Sequence, residues 1–517
     1  MNNEESWTTH RSGTIMRGSS SGRPPSNKRP RSGSRRSFSF SRGRILKIFL
    51  ALCVVWLLAV VLYQMNKPLP AGISYESPVY RTDRVDFLYD LTYPAQTSEF
   101  TQDRQIFDRT IEMIGEAERF IVIDVFLFND YTHKDQQYPK VSAKLARTLI
   151  ERKQAVPDLD IVFITDEVNT NYGSAPNALL ESLKKAGIRV VMTDVDPLRD
   201  STPLYSAVWR TFFQWFGQSG EGRIPNLMAS GGPDITLRSY MKLLNVKANH
   251  RKAFITEKGA IVSSGNIHDA SAYHSNIALE VSGPIIGDML QAEQAVLDMS
   301  GGGTLPAYPA ADEAKETQGQ YAIQYLTEGK VYDRLLKEIG SASSGDTVWM
   351  GMFYLADKKV IQALSAAADR GAKVRLVLDP NENAFGRDKI GIPNRPVAAQ
   401  LHGEAPDKIE IRWYNTTKEQ YHTKMVFVQR QNGDSSVLAG STNFTPRNLK
   451  DYNLENDLFV EGAADSEMIG EVRDYFERIW TNDGAAYTLD LEEHLEATTW
   501  LKDIVYRVQM RLGFTTF

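Results

Sequence analysis

Two short stretches of the chain each combine an imidazole, an ammonium group and an amide. The first reads Asn249-His250-Arg251-Lys252-Ala253-Phe254-Ile255-Thr256-Glu257, followed by Ser263-Ser264-Gly265-Asn266. The second reads Tyr421-His422-Thr423-Lys424-Met425-Val426-Phe427-Val428, followed by Gly440-Ser441-Thr442-Asn443. In a strand, residues i and i+2 share a face, so each His projects beside its Lys while the apolar residues behind anchor the strand. Small residues ahead of each Asn permit close backbone approach, and the amide donates to an oxygen. Two such stretches facing one another place two His and two Lys around one phosphate. The chain holds 8 His, so one His-x-Lys is unremarkable, but two at matching places with matching downstream elements are not. His133-Lys134-Asp135 is contiguous; its His and Lys would face opposite sides of a strand, and it is assigned no role.

The chemistry such a pocket supports is two-step phosphoryl transfer. One His attacks phosphorus to give a phosphohistidine, and the other protonates the leaving alcohol and then deprotonates the incoming water or alcohol. Lys252, Lys424, Asn266 and Asn443 stabilise the equatorial oxygens. No H-E-x-x-H, Asp cluster or P-loop is visible in the sequence, and no metal or other cofactor is expected.

The elements that must hold these residues repeat. The stretches from Phe120 to Asp130 and from Thr347 to Asp357 read as buried strands with Phe and Asp in register. Each is followed by a helical pattern and a second apolar run ending in Asp, at Asp166 and Asp379. A third strand follows in each copy, at 188–193 and 409–413. Strands alternating with helical patterns imply an α/β fold with a largely parallel sheet under helices, present twice. The single cysteine, Cys53, excludes an intrachain disulfide and any Cys-based metal site.

Charge divides the chain. Residues 1–47 hold 11 Lys/Arg and 2 Asp/Glu, leaving 48 basic and 62 acidic residues beyond them. An acidic globular part argues against gripping nucleic acid by charge. The first 44 residues read as a disordered basic tail. Residues 45–64 are long and apolar enough to span a bilayer, and the basic flank puts the tail in the cytoplasm with everything after Gln64 on the far side.

The paired motif resembles the phospholipase D superfamily, whose signature is H-x-K-x(4)-D followed by G-S-x-N. The second copy, with Gly440 to Leu449 and then Asn453-Leu454-Glu455, is most similar to the cardiolipin synthase and bacterial phospholipase D-like branch. The resemblance implies two tandem α/β/α sandwich domains related by a pseudo-twofold, at 96–300 and 321–483. Linkers are then expected at 65–95 and 301–320, and an amphipathic extension at 484–517. It departs from the pattern at Glu257 and Gln429, which replace the motif Asp, and at Ser263 to Asn266, which reads one residue short. Aligning Gly283 with Gly462 sets Asn276 opposite Glu455. By resemblance this position supports the catalytic His, which gives His422 the carboxylate of Glu455. His250 is left with Asn276, unless Glu257 or Asp269 serves it.

A membrane-anchored phospholipid phosphodiesterase or phosphatidyltransferase follows, acting as a monomer on phospholipid and not on nucleic acid. The rival readings are a nuclease for nucleic acid ends and a catalytically weak binding protein. Two further segments bear on lipid. Residues 204–216 repeat apolar side chains at helical spacing, suited to an acyl-chain entrance or the membrane interface, or to an ordinary core helix. Residues 500–508 are amphipathic and expected to pack on the domain.

Overall fold

The computed structural model describes residues 42–94, 100–132, 137–226, 229, 231–308, 318–384, 387–406, 408–495, 499–512 and 515. The disordered-tail expectation falls outside them except at its last three residues, and so does the contiguous triplet at 133–135. Helix α1 (Arg42–Asn66) has 25 residues, none of them buried, and is long and apolar enough by length and composition to cross a membrane. At 1.5 Å per residue it measures roughly 37 Å, more than a hydrocarbon core of about 30 Å.

Runs of β-branched and aromatic residues form the strands, because such side chains pack well on a pleated, covered surface. They are β1 (Tyr80–Thr82), β2 (Val85–Tyr93), β3 (Thr101–Arg104), β4 (Phe120–Val125), β5 (Asp160–Asp166), β6 (Arg189–Thr193), β7 (Lys252–Thr256), β8 (Ala260–Ser263) and β9 (Asn276–Val281). There follow β10 (Tyr321–Thr327), β11 (Thr347–Met352), β12 (Lys373–Leu378), the short pair β13 (Asn383–Ala384) and β14 (Arg387–Asp388), then β15 (Ile409–Tyr414), β16 (Lys424–Gln429), β17 (Ser435–Gly440), β18 (Asn456–Gly462) and β19 (Thr488–Asp490). One sheet runs β3-β2-β9-β8-β7-β4-β5-β6 and the other β1-β10-β18-β17-β16-β11-β12-β15-β19. From β2 in the first and β10 in the second, seven consecutive strands correspond one to one. The duplication expected from sequence is therefore a duplication of topology.

Each sheet lies between helices. Helices α2 (Ile106–Glu116), α3 (Val141–Ala155) and α4 (Ala178–Lys185) bury Ile114, Leu145, Leu149 and Leu183 against Ile121, Phe163 and Phe254 on the outer face of the first sheet. Leu335, Leu364 and Leu401 do the same on the second. The inner faces of both sheets share a single core with the helices Ile285–Ser300 and Glu467–Thr481, which joins Val122, Ile255 and Leu279 to Tyr325, Met425, Phe427 and Val460.

Two expectations change, and one of two open readings falls away. The sheets are mixed and not largely parallel: β4, β5 and β6 run parallel, whereas β7, β8, β9 and β2 are antiparallel neighbours. Crossover helices join only the first three, and the chain then returns through hairpin-like connections. Residues 65–95, expected as a linker, contribute β2 to the first sheet and β1 to the edge of the second. Finally, helix α5 (Pro203–Phe212) is not a core helix. It buries Ser206, Ala207, Trp209 and Arg210 but exposes Leu204, Val208 and Phe212. The terminal helix Thr499–Leu512 docks through Tyr506, whose hydroxyl donates to the Ala356 carbonyl at 3.1 Å, with Trp500, Ile504 and Val508 left exposed.

Candidate active site

Each motif His stands just before a central strand, two residues ahead of the Lys that begins it. The chain there is pinned twice. Asp166, closing β5, accepts the Asn249 N–H at 2.8 Å, and Asp379, just after β12, accepts the Tyr421 N–H at 2.7 Å. These aspartates end the apolar runs noticed in the sequence, and burial pushes both carboxyls up to about 7. Their positioning role was legible only as that repeated terminal Asp.

The second pin comes from the opposite half. His250 N–H donates to the Leu454 carbonyl at 2.9 Å, and His422 N–H to the Ser275 carbonyl at 2.8 Å. Short parallel bridges result, Asn249 with Leu454 and Ser275 with Tyr421. The residue after each bridge reaches the imidazole of the other half. Glu455 Oε2 lies 2.9 Å from His250 Nδ1, and Asn276 Oδ1 lies 3.2 Å from His422 Nδ1. The equivalence of Asn276 with Glu455 holds, but the expected assignment is reversed: His250 has the carboxylate and His422 has the amide. Neither Glu257 nor Asp269 serves His250. Glu257 accepts the backbone N–H groups of Glu118, Arg119 and Phe120 at 2.7–3.2 Å. Asp269 accepts from Ser142, N–H at 3.0 Å and Oγ at 2.6 Å.

Glu455 is itself oriented by its own half, accepting from Ser441 Oγ at 2.5 Å and from the Asn448 amide. Ser264 donates to Asn276 Oδ1 at 3.2 Å, as Ser441 does to Glu455. Ser263 to Asn266 therefore match Gly440 to Asn443 residue for residue, and the expected deletion is absent. The shorter piece is the hairpin between β7 and β8. Gln429 takes the indole N–H of Trp349 at 3.2 Å, so both departures from the motif Asp are structural contacts away from the imidazoles.

Lys252 and Lys424 are fully buried, and each ammonium donates to the carbonyl of its own motif His at 2.8 Å. Their Nζ atoms lie 5.6 Å from the Phe126 ring and 5.1 Å from the Phe353 ring. The same rings stand 5.1 Å from His250 and 4.9 Å from His422. Among the described residues, the buried side-chain oxygens of Asn266 and Asn443 have no hydrogen-bond partner. A residue missed in sequence is His274, whose ring is 5.9 Å from that of His422. Its Nδ1 accepts the Gln420 N–H at 3.2 Å, as Asn453 Oδ1 accepts the Ala248 N–H at 3.1 Å in the other half. Arg251, between His250 and Lys252, points the other way and pairs with Glu328 at 2.7 Å and Glu293 at 3.3 Å.

Both imidazoles, both ammonium groups and Glu455 are buried, and burial is the largest influence on their proton affinities. Burial, then the two ammonium groups, hold His250 well below the ordinary imidazole range. Burial, Lys424, His274 and Lys252 do the same to His422. Burial brings Lys252 down to about 7, and burial with Lys252 beside it holds Lys424 well below its usual range. Burial also pushes Glu455 up to about 8, and its Oε2 faces His250 Nδ1 at 2.9 Å.

Residues 335–480 match the family described as cardiolipin synthase, PLD-like domain. The solved structure of phosphatidylserine synthase from Haemophilus influenzae Rd KW20 superposes with a TM-score of 0.54 at 11% identity, over 88% of this chain and 99% of that one. A phospholipase D family member, Nuc from Salmonella typhimurium, is similar over 33% of this chain and 97% of its own, with 22% identity and a TM-score of 0.25. No curated protein matches the chain in sequence.

Proposed function

We propose that this chain is a membrane-anchored phosphodiesterase or phosphatidyltransferase of phospholipids, of the phospholipase D superfamily and working through a phosphohistidine; the family match over residues 335–480 and the shared fold support this reading. The observation that carries this reading is the crossed pair of bridges, which gives each imidazole a partner from the other half. One Nε2 attacks phosphorus as the bond to the head-group oxygen breaks, and the other imidazole delivers a proton to that oxygen. Water or an alcohol then attacks the phosphohistidine, giving its proton back to the second imidazole. Lys252, Lys424, Asn266 and Asn443 hold the nonbridging oxygens throughout. The lowered proton affinities suit this work, since an anion bound between these groups favours their charged forms. The domains are 96–300, with β2 added, and 321–483, with β1 and β19 added.

In this reading α1 is the anchor, residues before it are cytoplasmic, and both domains lie on the far side and act within one chain. The deciding experiment incubates the full chain with vesicles of mixed phospholipids and, separately, with end-labelled single-stranded DNA. Release of a head-group alcohol or a new phosphatidyl ester is expected, with the DNA intact. Cleavage of DNA alone would make the chain a nuclease. No reaction with either would leave a binding protein.

A further inference from the structure

Beside the site, α5 and the turn after it form an apolar ridge that no other described residue covers. Leu204, Val208 and Phe212 lie on one face at i, i+4 and i+8, and the chain continues into Phe213, Trp215 and Phe216. Trp215 is 75% exposed, Phe216 63% and Leu204 60%. The helix cannot roll to hide this face. Arg210, on its buried side, is clamped to Asp200 at 2.7 Å, and the Tyr205 hydroxyl donates to the Met241 carbonyl at 2.6 Å.

What covers the ridge is indicated by where its root is tied. The Asp200 N–H donates to the carbonyl of Gln64, in the last turn of α1, at 3.3 Å. The Lys67 ammonium donates to the Asp196 carbonyl at 3.2 Å, and Arg199 Nε to the Lys67 carbonyl at 3.0 Å. The loop that opens α5 is thus bonded to the end of the apolar helix. The same loop reaches the site: Lys247 pairs with Asp200 at 3.1 Å three residues before His250, and Arg199 pairs with Asp451 at 3.1 Å four residues before Glu455.

We propose that the α5 ridge seats in the leaflet from which α1 emerges, so that the bilayer is its partner and lipid head groups are presented sideways to the histidines. The inference rests on the membrane-anchor reading above. A short amphipathic helix with exposed Trp and Phe suits the head-group boundary, where such helices bury their apolar face about 5–10 Å deep. The ridge carries no charged side chain among its six apolar residues, and its continuity with α1 selects a bilayer over a soluble partner.

The test uses the full chain in phosphatidylcholine–phosphatidylglycerol vesicles whose lipids carry a nitroxide at either a shallow or a deep acyl position. An environment-sensitive fluorophore is placed on the natural Cys53 within α1, or on Cys53→Ser variants also carrying Trp215→Cys or Lys373→Cys. Lys373 begins β12, at the end of the sheet away from the histidines. Phe216→Cys replaces Trp215→Cys if the latter fails to fold. The probe at 215 is expected to lose most of its emission to the shallow nitroxide and less to the deep one, with the probe at 373 unaffected. Cys53 is expected to be quenched by the deep nitroxide. Quenching at Cys53 with 215 behaving like 373 would overturn the ridge and leave the anchor standing. No quenching at Cys53 would overturn both. A probe at 215 dark to lipid nitroxides but self-quenching at full labelling would assign the ridge to a second copy, and also overturn the proposal.

Discussion

Glu455 and Asn276 occupy one position of the repeated fold yet confer different chemistry on the imidazoles they touch. A carboxylate beside Nδ1 stabilises an imidazolium; an amide oxygen orients the ring without matching its charge. Glu455→Gln should therefore act through His250, lowering turnover roughly 10- to 1000-fold. In imidazole NMR titrations it should move the His250 resonance and leave His422 in place; the opposite pattern would contradict the crossed contacts. Asn276→Asp should raise the His422 pKa and keep activity. Lys252 leads to a prediction of pH dependence. Burial makes it lose its proton as pH rises through about 7, whereas a bound anion favours the charged form. Binding of inorganic phosphate above that pH should thus take up protons, and affinity should fall as pH rises. Calorimetry in buffers of different ionisation enthalpy measures this; zero uptake at pH 8 would contradict it. At this scale the two His-x-Lys pairs were plain in the sequence. The exchange of partners was not, because an alignment says which residues are equivalent and not which half each one reaches.

At the level of elements, Glu257 shows how a departure from a motif can leave the site untouched. Its carboxylate gathers three backbone N–H groups where the chain enters β4, which is a reason to expect lost stability and preserved chemistry on its removal. Glu257→Ala should cost about 1–3 kcal/mol in denaturant unfolding with turnover per folded molecule unchanged. A large fall in turnover at unchanged stability would give Glu257 a role in the site. The central strands were legible because β4 and β11 are continuous apolar runs with both faces covered. Their antiparallel neighbours were not, since periodicity carries no strand direction. For α5, the spacing of 204, 208 and 212 correctly grouped those residues on one face. It could not tell that the core would instead take Ala207, Trp209 and the Arg210–Asp200 pair.

Across the whole molecule, the halves are held by charge as well as by a shared apolar core. Arg251 is fully buried between Glu293 of the first half and Glu328 of the second, and Arg251→Ala would strand both carboxylates in a dry interior. A loss of about 3–5 kcal/mol is expected, measured by chemical denaturation, and a value near zero would mean that water reaches the pair. The edge strand β1 bears on biosynthesis. It leaves the ribosome soon after α1, yet its pairing partner β10 follows about 240 residues later. At typical elongation of about 5–20 residues per second, the nascent chain waits on the order of 10–50 s with that partner unmade. The bridges at 249 and 275 wait less but close later in synthesis, once Leu454 and Tyr421 have emerged. The paired-histidine site is thus among the last parts to form, and a ribosome stalled before residue 321 carries a first half with no second sheet for β1 to join. Limited proteolysis of such stalled chains should cut near Tyr80 and spare β4 and β5; protection at Tyr80 before β10 has emerged would show that β1 finds another shelter during synthesis.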